Sequence, residues 1–354
     1  MEEADRIWDE ISSEEIQQMT NQMLGENTFS FSDYVGSLLH GQMPFSVESA
    51  VRTICDGLAA NLAEERKLYI YLILLAVIGA VLGNFASLLQ GKQVAETAFY
   101  AVYLLFFSVL LTAFVQVAEI AENTLSQLLD FMKVLFPSYF MTMAFSQGAA
   151  ASGVYYQFTL AMLTIVDYVL VKFALPAVHI YFLLRIANQL SERDMFTKMA
   201  ELIHDVVKFV MKTMFGIVMG FNVIQGLIVP VTSKLESSAV IKLSGAVPGV
   251  GNAVSGVVST VLCAGTLVKN AVGIAGVIVV LFYCGIPLLR LVVSRFLFQL
   301  SNAVLQPVSD TRVVACIGAM VEALKLLTYA VFVGCMMFVI SIALMSAMTS
   351  GVGG

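Results

Sequence analysis

Beyond position 67 the chain is built from long apolar stretches broken by short polar ones, and the stretches 68–91 and 97–118 carry no charged residue. A helix rises about 1.5 Å per residue, so roughly 20 apolar residues cross a hydrocarbon core of about 30 Å. The pattern predicts an all-α polytopic membrane protein with about six to eight transmembrane segments. Spans are expected at roughly 68–89, 97–118, 158–184, 211–231, 271–293 and 326–349. Two further apolar segments are interrupted: 134–152 by Pro137 and Gly148, and 243–264 by Gly245, Pro248, Gly249, Gly251 and Gly256. Broken backbone at membrane depth survives only where protein or a water-filled cavity covers it. Both segments therefore read as re-entrant hairpins or discontinuous helices.

The polar start of the chain has a different period. Ile7, Trp8, Ile11, Met19 and Met23 recur at helical spacing and predict an amphipathic helix over 2–24, ended by Gly25 and Asn27. Residues 28–44 read as a loop. A second amphipathic helix is expected over 45–67, with Val47, Val51, Ile54, Leu58 and Leu62 on one stripe.

Polar landmarks also point to an internal duplication. RIANQLS at 185–191 aligns with RFLFQLS at 295–301, and each follows a long apolar segment containing a proline, Pro176 or Pro287. Upstream of those lie Pro137 and Pro248 in nearly corresponding places. The unit, about 110 residues long, is broken segment, span, amphipathic helix, span. Glu64, Lys67, Leu68 and Tyr71 repeat the spacing of Glu322, Lys325, Leu326 and Tyr329. The expected divisions are an acidic extracytoplasmic region at 1–67, a first transmembrane hairpin at 68–127, and parallel repeats at 128–233 and 240–350.

Charge sharpens this picture. The mean hydropathy is +0.87, and only 12% of residues are charged. Residues 1–67 hold 13 Asp/Glu against 4 Lys/Arg, whereas the remainder holds 12 against 15. The acidic start excludes nucleic-acid binding and is repelled by anionic lipid, so it is expected to stand off the membrane or meet a protein partner. Arg185, Arg193, Lys198, Lys208 and Lys212, with Arg290, Arg295, Arg312 and Lys325, mark 185–212 and 290–325 as cytoplasmic. The segment 119–133 and both termini then fall outside.

Candidate chemistry is sparse. Asp167, Lys172 and His179 interrupt one apolar stretch and read either as a polar pathway or as groups near a membrane surface, with Lys172 snorkelling. LSGAVPGVGNAVSG at 243–256 reads either as a pore-lining constriction or as close helix packing, with Gly245, Pro248, Gly249, Gly251 and Gly256 as its candidate residues. Gly79/Gly83 and Gly216/Gly220 have the spacing of packing pairs. His204 reads as a surface residue. The five cysteines form no CxxC and read as buried thiols. There is no HExxH, no GxSxG and no phosphate-binding loop, so no catalytic, cofactor-binding or metal residue is assigned and no enzyme is expected.

Four stretches carry a family resemblance: EERKLYIYLILLAVIG, FALPAVHIYFLLRIANQLS, GLIVPVTSKLESSAVIKLSGAVPGVGNAVSG and VLFYCGIPLLRLVVSRFLFQLS. With the acidic start, they resemble the stage III sporulation protein AE family of endospore-forming bacteria. The resemblance implies a multi-pass protein of the mother-cell membrane surrounding the forespore, and a subunit of the channel complex between the two cells. It implies other stage III sporulation A-operon proteins and the stage II sporulation protein Q complex as partners, alongside the lipid bilayer and further copies of the chain. A pore-forming or permease-like subunit, a scaffold anchoring soluble ring components, and a small-molecule secondary transporter are the readings it leaves open. It supplies no catalytic residue.

Overall fold

The computed structural model describes residues 2–9, 13–24, 29–42, 70, 74, 77, 78, 81, 92–147, 149–190, 194–245, 251–307 and 309–349. The second amphipathic helix expected at 45–67 lies outside them. So does most of the first expected span, 68–89, of which positions 70, 74, 77, 78 and 81 are helical and exposed. Three short helices come first: α1 (Glu2–Asp9), α2 (Ser13–Leu24) and α3 (Phe31–Leu39). Long helices follow: α4 (Lys92–Gln147), α5 (Ala149–Asp167), α6 (Leu175–Leu190), α7 (Thr197–Gly245), α8 (Gly251–Leu305) and α9 (Thr311–Thr349). A π-helical segment, Tyr168–Ala174, joins α5 to α6. The described residues contain no strand. They include five stretches long and apolar enough to cross a membrane: Ala101–Phe145, Tyr155–Gln189, Thr197–Ile224, Thr260–Leu305 and Thr311–Ser346. The chain is an all-α polytopic membrane protein.

Side-chain pairs fix the directions. Along α4, Gln127, Leu135 and Tyr139 meet Tyr283, Gly276 and Gly273 of α8 in reverse order, so the two helices are antiparallel. Tyr103 and Leu125 of α4 meet Cys316 and Gly334 of α9 in the same order, so those two are parallel. Phe114 stacks on Phe182, and Phe140 meets Tyr155, which sets the α5–α6 rod antiparallel to α4. His204 and Asn222 of α7 face Glu322 and Ser341 of α9, again in parallel order. The five rods alternate in direction along the chain, and the cationic segments near 185–212 and 290–325 gather at one end.

Several local expectations change. The segment 134–152 is not re-entrant as far as Gln147, because α4 runs unbroken from 92 to 147 and takes Pro137 within it. The 119–133 segment is therefore the middle of a rod and not an outside loop. Its charges, Glu119, Glu122, Asp130 and Lys133, all face outward, and Lys133 pairs with Asp130 at 2.9 Å. At 56 residues, α4 is about 84 Å long, well over twice a bilayer's hydrocarbon core. Likewise, 251–264 is the start of α8 and not a separate span.

Pro176 explains the π segment. Its ring cannot donate to residue 172 and would press on that carbonyl. The helix widens just before it, and the Leu175 N–H reaches the Leu170 carbonyl instead.

The N-terminal region also departs from expectation. The single helix over 2–24 is two helices, and the loop over 28–44 contains α3, capped by Ser30, whose side chain accepts from the Asp33 N–H. The region does not stand free of the bundle. α1 and α3 pack on α8, and α2 packs on α4. Ala4, Ile7, Trp8, Ile16, Phe31 and Val35 are buried. Burial also pushes the Tyr34 hydroxyl pKa above its ordinary value. Apolar burial on one face outweighs the acidic character of the other, where Glu14 and Glu15 stay exposed.

The core lies where α4, α8 and α9 meet. A methyl group built at Gly334 would sit 2.5 Å from Leu125 Cδ2, and one at Gly276 would sit 2.8 Å from Leu135 Cδ2. These glycines let leucines of α4 seat against the neighbouring backbones. Gly216 and Gly220, read from sequence as a packing pair, have nothing within 4 Å of an added methyl. They lie on the open face of α7. Gly79 and Gly83 are outside the described residues.

A disulfide joins Cys284 of α8 to Cys335 of α9, with the two Cα atoms 6.5 Å apart. This corrects the reading of all the cysteines as thiols. The two residues are 51 apart in sequence, and only the antiparallel register of α8 and α9 sets them opposite one another. Cys263 and Cys316 are free.

Gly334→Ala is expected to lower the melting temperature of the detergent-solubilised protein by an amount equivalent to about 1–3 kcal/mol, the usual cost of overpacking. Gly216→Ala should leave it unchanged or slightly raised, because Ala favours the helix. Equal effects at the two positions would contradict this packing. Maleimide mass-tagging of the denatured protein should add two tags per chain after reduction, with Cys284→Ser removing that increment.

Candidate functional site

Of the polar side chains that interrupt the apolar interior, two groups stand out among the described residues. The first lies towards the end of the bundle where α8 begins and α9 ends. Lys269 is the sole charged residue between 251 and 289. It is 0% exposed, and its Nζ has no hydrogen-bond partner among the described residues. One turn along α8, Gly273 brings the ring of Tyr139 and the Ser346 side chain against the backbone, at 3.4 and 3.5 Å from an added methyl. The Tyr139 hydroxyl is buried and likewise unbonded among the described residues. Ser346 Oγ donates to Asn270 Oδ1 at 3.2 Å. Further along α9, Asn222 Nδ2 donates to Ser341 Oγ and to the Val218 carbonyl, both at 2.8 Å. The Asn222 Oδ1 is left unbonded among the described residues. A lysine at membrane depth costs about 3 kcal/mol on insertion scales and is a functional candidate by default.

The second layer is charged and lies where α6, α7 and α9 converge. His204 Nε2 is 4.0 Å from Glu322 Oε2, and its Nδ1 is 3.1 Å from Asp205 Oδ1. Lys325 pairs with the same Glu322 at 3.2 Å. The Tyr181 ring lies 5.6 Å from the His204 ring. Nearby, the α6–α7 turn is held by buried Asn188. Its Nδ2 donates to Asp194 Oδ1 and Thr197 Oγ1, both at 2.9 Å, and its Oδ1 accepts from the Phe196 N–H at 3.0 Å.

The residues singled out by sequence are not assembled into one site. Asp167 ends α5, half-buried, with no side-chain capping bond. Lys172 is exposed within the π segment. His179 Nδ1 donates to the Leu175 carbonyl at 2.9 Å, and its ring meets the Phe114 ring edgewise at 5.1 Å. No ion pair links these three among the described residues. Gly245 is the last residue of α7, Gly251 the first of α8, and Gly256 lies in the opening turns of α8. Pro248 and Gly249 lie outside the described residues.

Sequence reasoning missed Lys269 because it sits between the expected broken segment and the expected span, where it reads as a boundary charge. Its isolation within a charge-free stretch was the available signal. His204, expected at the surface, is only partly exposed and faces α9.

A match to Stage III sporulation protein AE covers residues 29–349. The chain belongs to the Stage III sporulation protein AE family. It is also similar to "Stage III sporulation protein AE" of Bacillus subtilis (strain 168), with 22% identity over 311 residues, covering 87% of this chain and 78% of that protein. No solved structure matches the chain. The family match takes in both polar layers and all the long helices, α4 to α9, and begins just before α3.

Glu322→Gln removes the charge shared by Lys325 and His204. Because these side chains are about two-fifths exposed for Glu322 and Lys325, the expected loss of stability is small, up to about 1 kcal/mol, and should shrink in high salt. Chemical or thermal unfolding at two ionic strengths measures it. A loss that salt leaves unchanged would show that the layer is held by packing instead.

Proposed function

We propose that this Stage III sporulation protein AE family member is a non-enzymatic membrane subunit of the channel complex between mother cell and forespore, with a permease-like role in that conduit. The single observation that carries the reading is a multi-helix membrane bundle with buried polar atoms inside it that are unbonded among the described residues, Lys269 Nζ, the Tyr139 hydroxyl and Asn222 Oδ1. A purely lipid-anchoring bundle gains nothing from such groups, since each unbonded buried polar atom costs about 1–3 kcal/mol. The name of the Bacillus subtilis relative supports the sporulation context. In this reading the protein occupies the mother-cell membrane around the forespore, with 185–212 and 290–325 in the cytoplasm, and works with the other stage III sporulation A-operon proteins and stage II sporulation protein Q.

The proposal includes the internal repeat, 128–233 and 240–350. Arg185 and Arg295 each lie near the end of a rod that runs antiparallel to α4, each with a buried Nε unbonded among the described residues. Each rod then turns through an aspartate, Asp194 or Asp310, into the next helix. The second unit places that aspartate 15 residues after its arginine, against 9 in the first. Ser191 lies outside the described residues.

One observation favours the scaffold reading. The interface of α4, α8 and α9 is closely packed where Leu125 meets Gly334 and Leu135 meets Gly276. Rods of 55 or 56 residues also extend well past a bilayer and offer surface to partners.

Flux and assembly separate the readings. The full chain, purified with its co-expressed sporulation partners and reconstituted in liposomes, is expected to release an entrapped small fluorescent solute faster than liposomes lacking it. Co-purification with the partners but no release would support the scaffold and overturn the conduit.

A further inference from the structure

We propose that the outward face of α4 between Gln116 and Lys133 lines a water-filled, cation-favouring pathway closed by further copies of this chain. The proposal rests on the conduit reading above and gives it a surface: the passage runs beside the bundle, between copies, and not through the core.

Depth comes first. α7, α8 and α9 each contain a charge-free stretch of about bilayer length, 213–233, 270–289 and 326–349. Contacts set these stretches side by side. Asn222 of α7 donates to Ser341 of α9, and Cys284 of α8 is joined to Cys335 of α9. Gln127 of α4 accepts from Tyr283, and Leu125 lies against Gly334. The part of α4 level with all three stretches is therefore centred near these two residues. Half a hydrocarbon core is about ten residues either way. That span takes in Glu122, Asp130 and Lys133, with Glu119 at its rim.

At this depth the exposed faces differ in kind. The large exposed side chains of the other three helices suit lipid, as with Ile217 of α7, Leu281 of α8 and Phe332 of α9. On α4, every exposed residue from Gln116 to Lys133 is polar. These positions recur at helical spacing, so they form one stripe about 26 Å long. The opposite side of the same stretch is core, with Leu125, Leu128 and Phe131 wholly buried. The adjoining π segment, level with the stripe between the Phe114–Phe182 and Phe140–Tyr155 contacts, adds exposed Lys172 and half-buried Asp167. Charged groups facing hydrocarbon are costly, and such residues face a cavity or protein instead.

Water at membrane depth needs a protein wall on every side. The lipid-suited faces of α7, α8 and α9 do not supply the opposite wall, and 68–91 carries no charged residue. Copies arranged about a rotation axis each bring the same stripe to the same depth and close the ring. Acid dominates the stripe: Glu119, Glu122 and Asp130 stand against Lys133, which is itself paired with Asp130 at 2.9 Å. Repeated around an axis, that surplus draws cations and rejects anions. It also holds the stripes apart, which leaves room for water.

The test uses the full chain in phosphatidylcholine nanodiscs, as assembled particles and as single-chain particles separated by size, with copy number read by native mass spectrometry. Ser126→Cys on the stripe is compared with Ile217→Cys, five residues before Asn222 on the exposed face of α7. Both are treated with membrane-impermeant cationic and anionic methanethiosulfonates, and peptide mass spectrometry reads each position. Ser126→Cys should react in assembled particles and not in single-chain ones, and Ile217→Cys in neither, while both react once denatured. The cationic reagent should be favoured at Ser126→Cys by about tenfold beyond its advantage on free cysteine, and Glu119→Gln with Glu122→Gln should remove that preference. An unreactive Ser126→Cys in assembled particles, or equal reaction at the two positions, would overturn the proposal. Reaction in single-chain particles, a chain that never assembles, or reaction only with co-expressed partners present would overturn the role of further copies. Solute release from liposomes with an unreactive Ser126→Cys would keep the conduit and sink this surface alone. Labelling as expected without release would support the water-filled stripe and count against the conduit reading.

Discussion

Leucine against glycine at the α4–α8–α9 junction is the contact from which the rest of the bundle takes its register. In lipid, apolar side chains gain little from meeting one another, so helices associate where their surfaces fit closely. Gly334 accepts Leu125, and Gly276 accepts Leu135. Those two seats, on different helices, fix the depth of α4 relative to both partners at once. The register then decides which polar groups are enclosed, which cysteines face one another and which end of the bundle gathers positive charge.

The same packing gives the two polar layers different environments. Near the cationic end, Glu322, Lys325, His204 and Asp205 satisfy one another and remain partly open to solvent. Such a layer is inexpensive and adjustable. Near the other end, Lys269 and Tyr139 are sealed among tightly packed neighbours with their capacity unused among the described residues. There, any group that enters or leaves is felt strongly, because low polarity magnifies electrostatic interaction.

Length adds a further property. α4, α7 and α8 contain 56, 49 and 55 residues, more than a bilayer crossing requires. The outward-facing charges of α4, from Glu119 to Lys133, show that the rods are not uniformly lipid-facing along their length. The N-terminal helices use the same bundle as their support: Trp8, Ile16 and Phe31 are buried although the segment around them is acidic.

The sequence by itself determined the class of this protein and its family. Backbone groups in lipid must be satisfied within the segment, so uniform apolar stretches without strand-like alternation leave helices as the outcome. Positive clusters and motif strings add the expected orientation and the family resemblance, since both are local in the chain. Tertiary structure decided what depends on register. Whether Pro137 breaks a helix or rides within it, whether Gly216 or Gly334 does the packing, and whether Cys284 finds Cys335 are set by neighbours far away in sequence. Lys269 shows the limit most clearly. Its isolation is visible in the chain, but its burial arises only when α4, α8 and α9 close around it, because enclosure is a property of several helices together and of none alone.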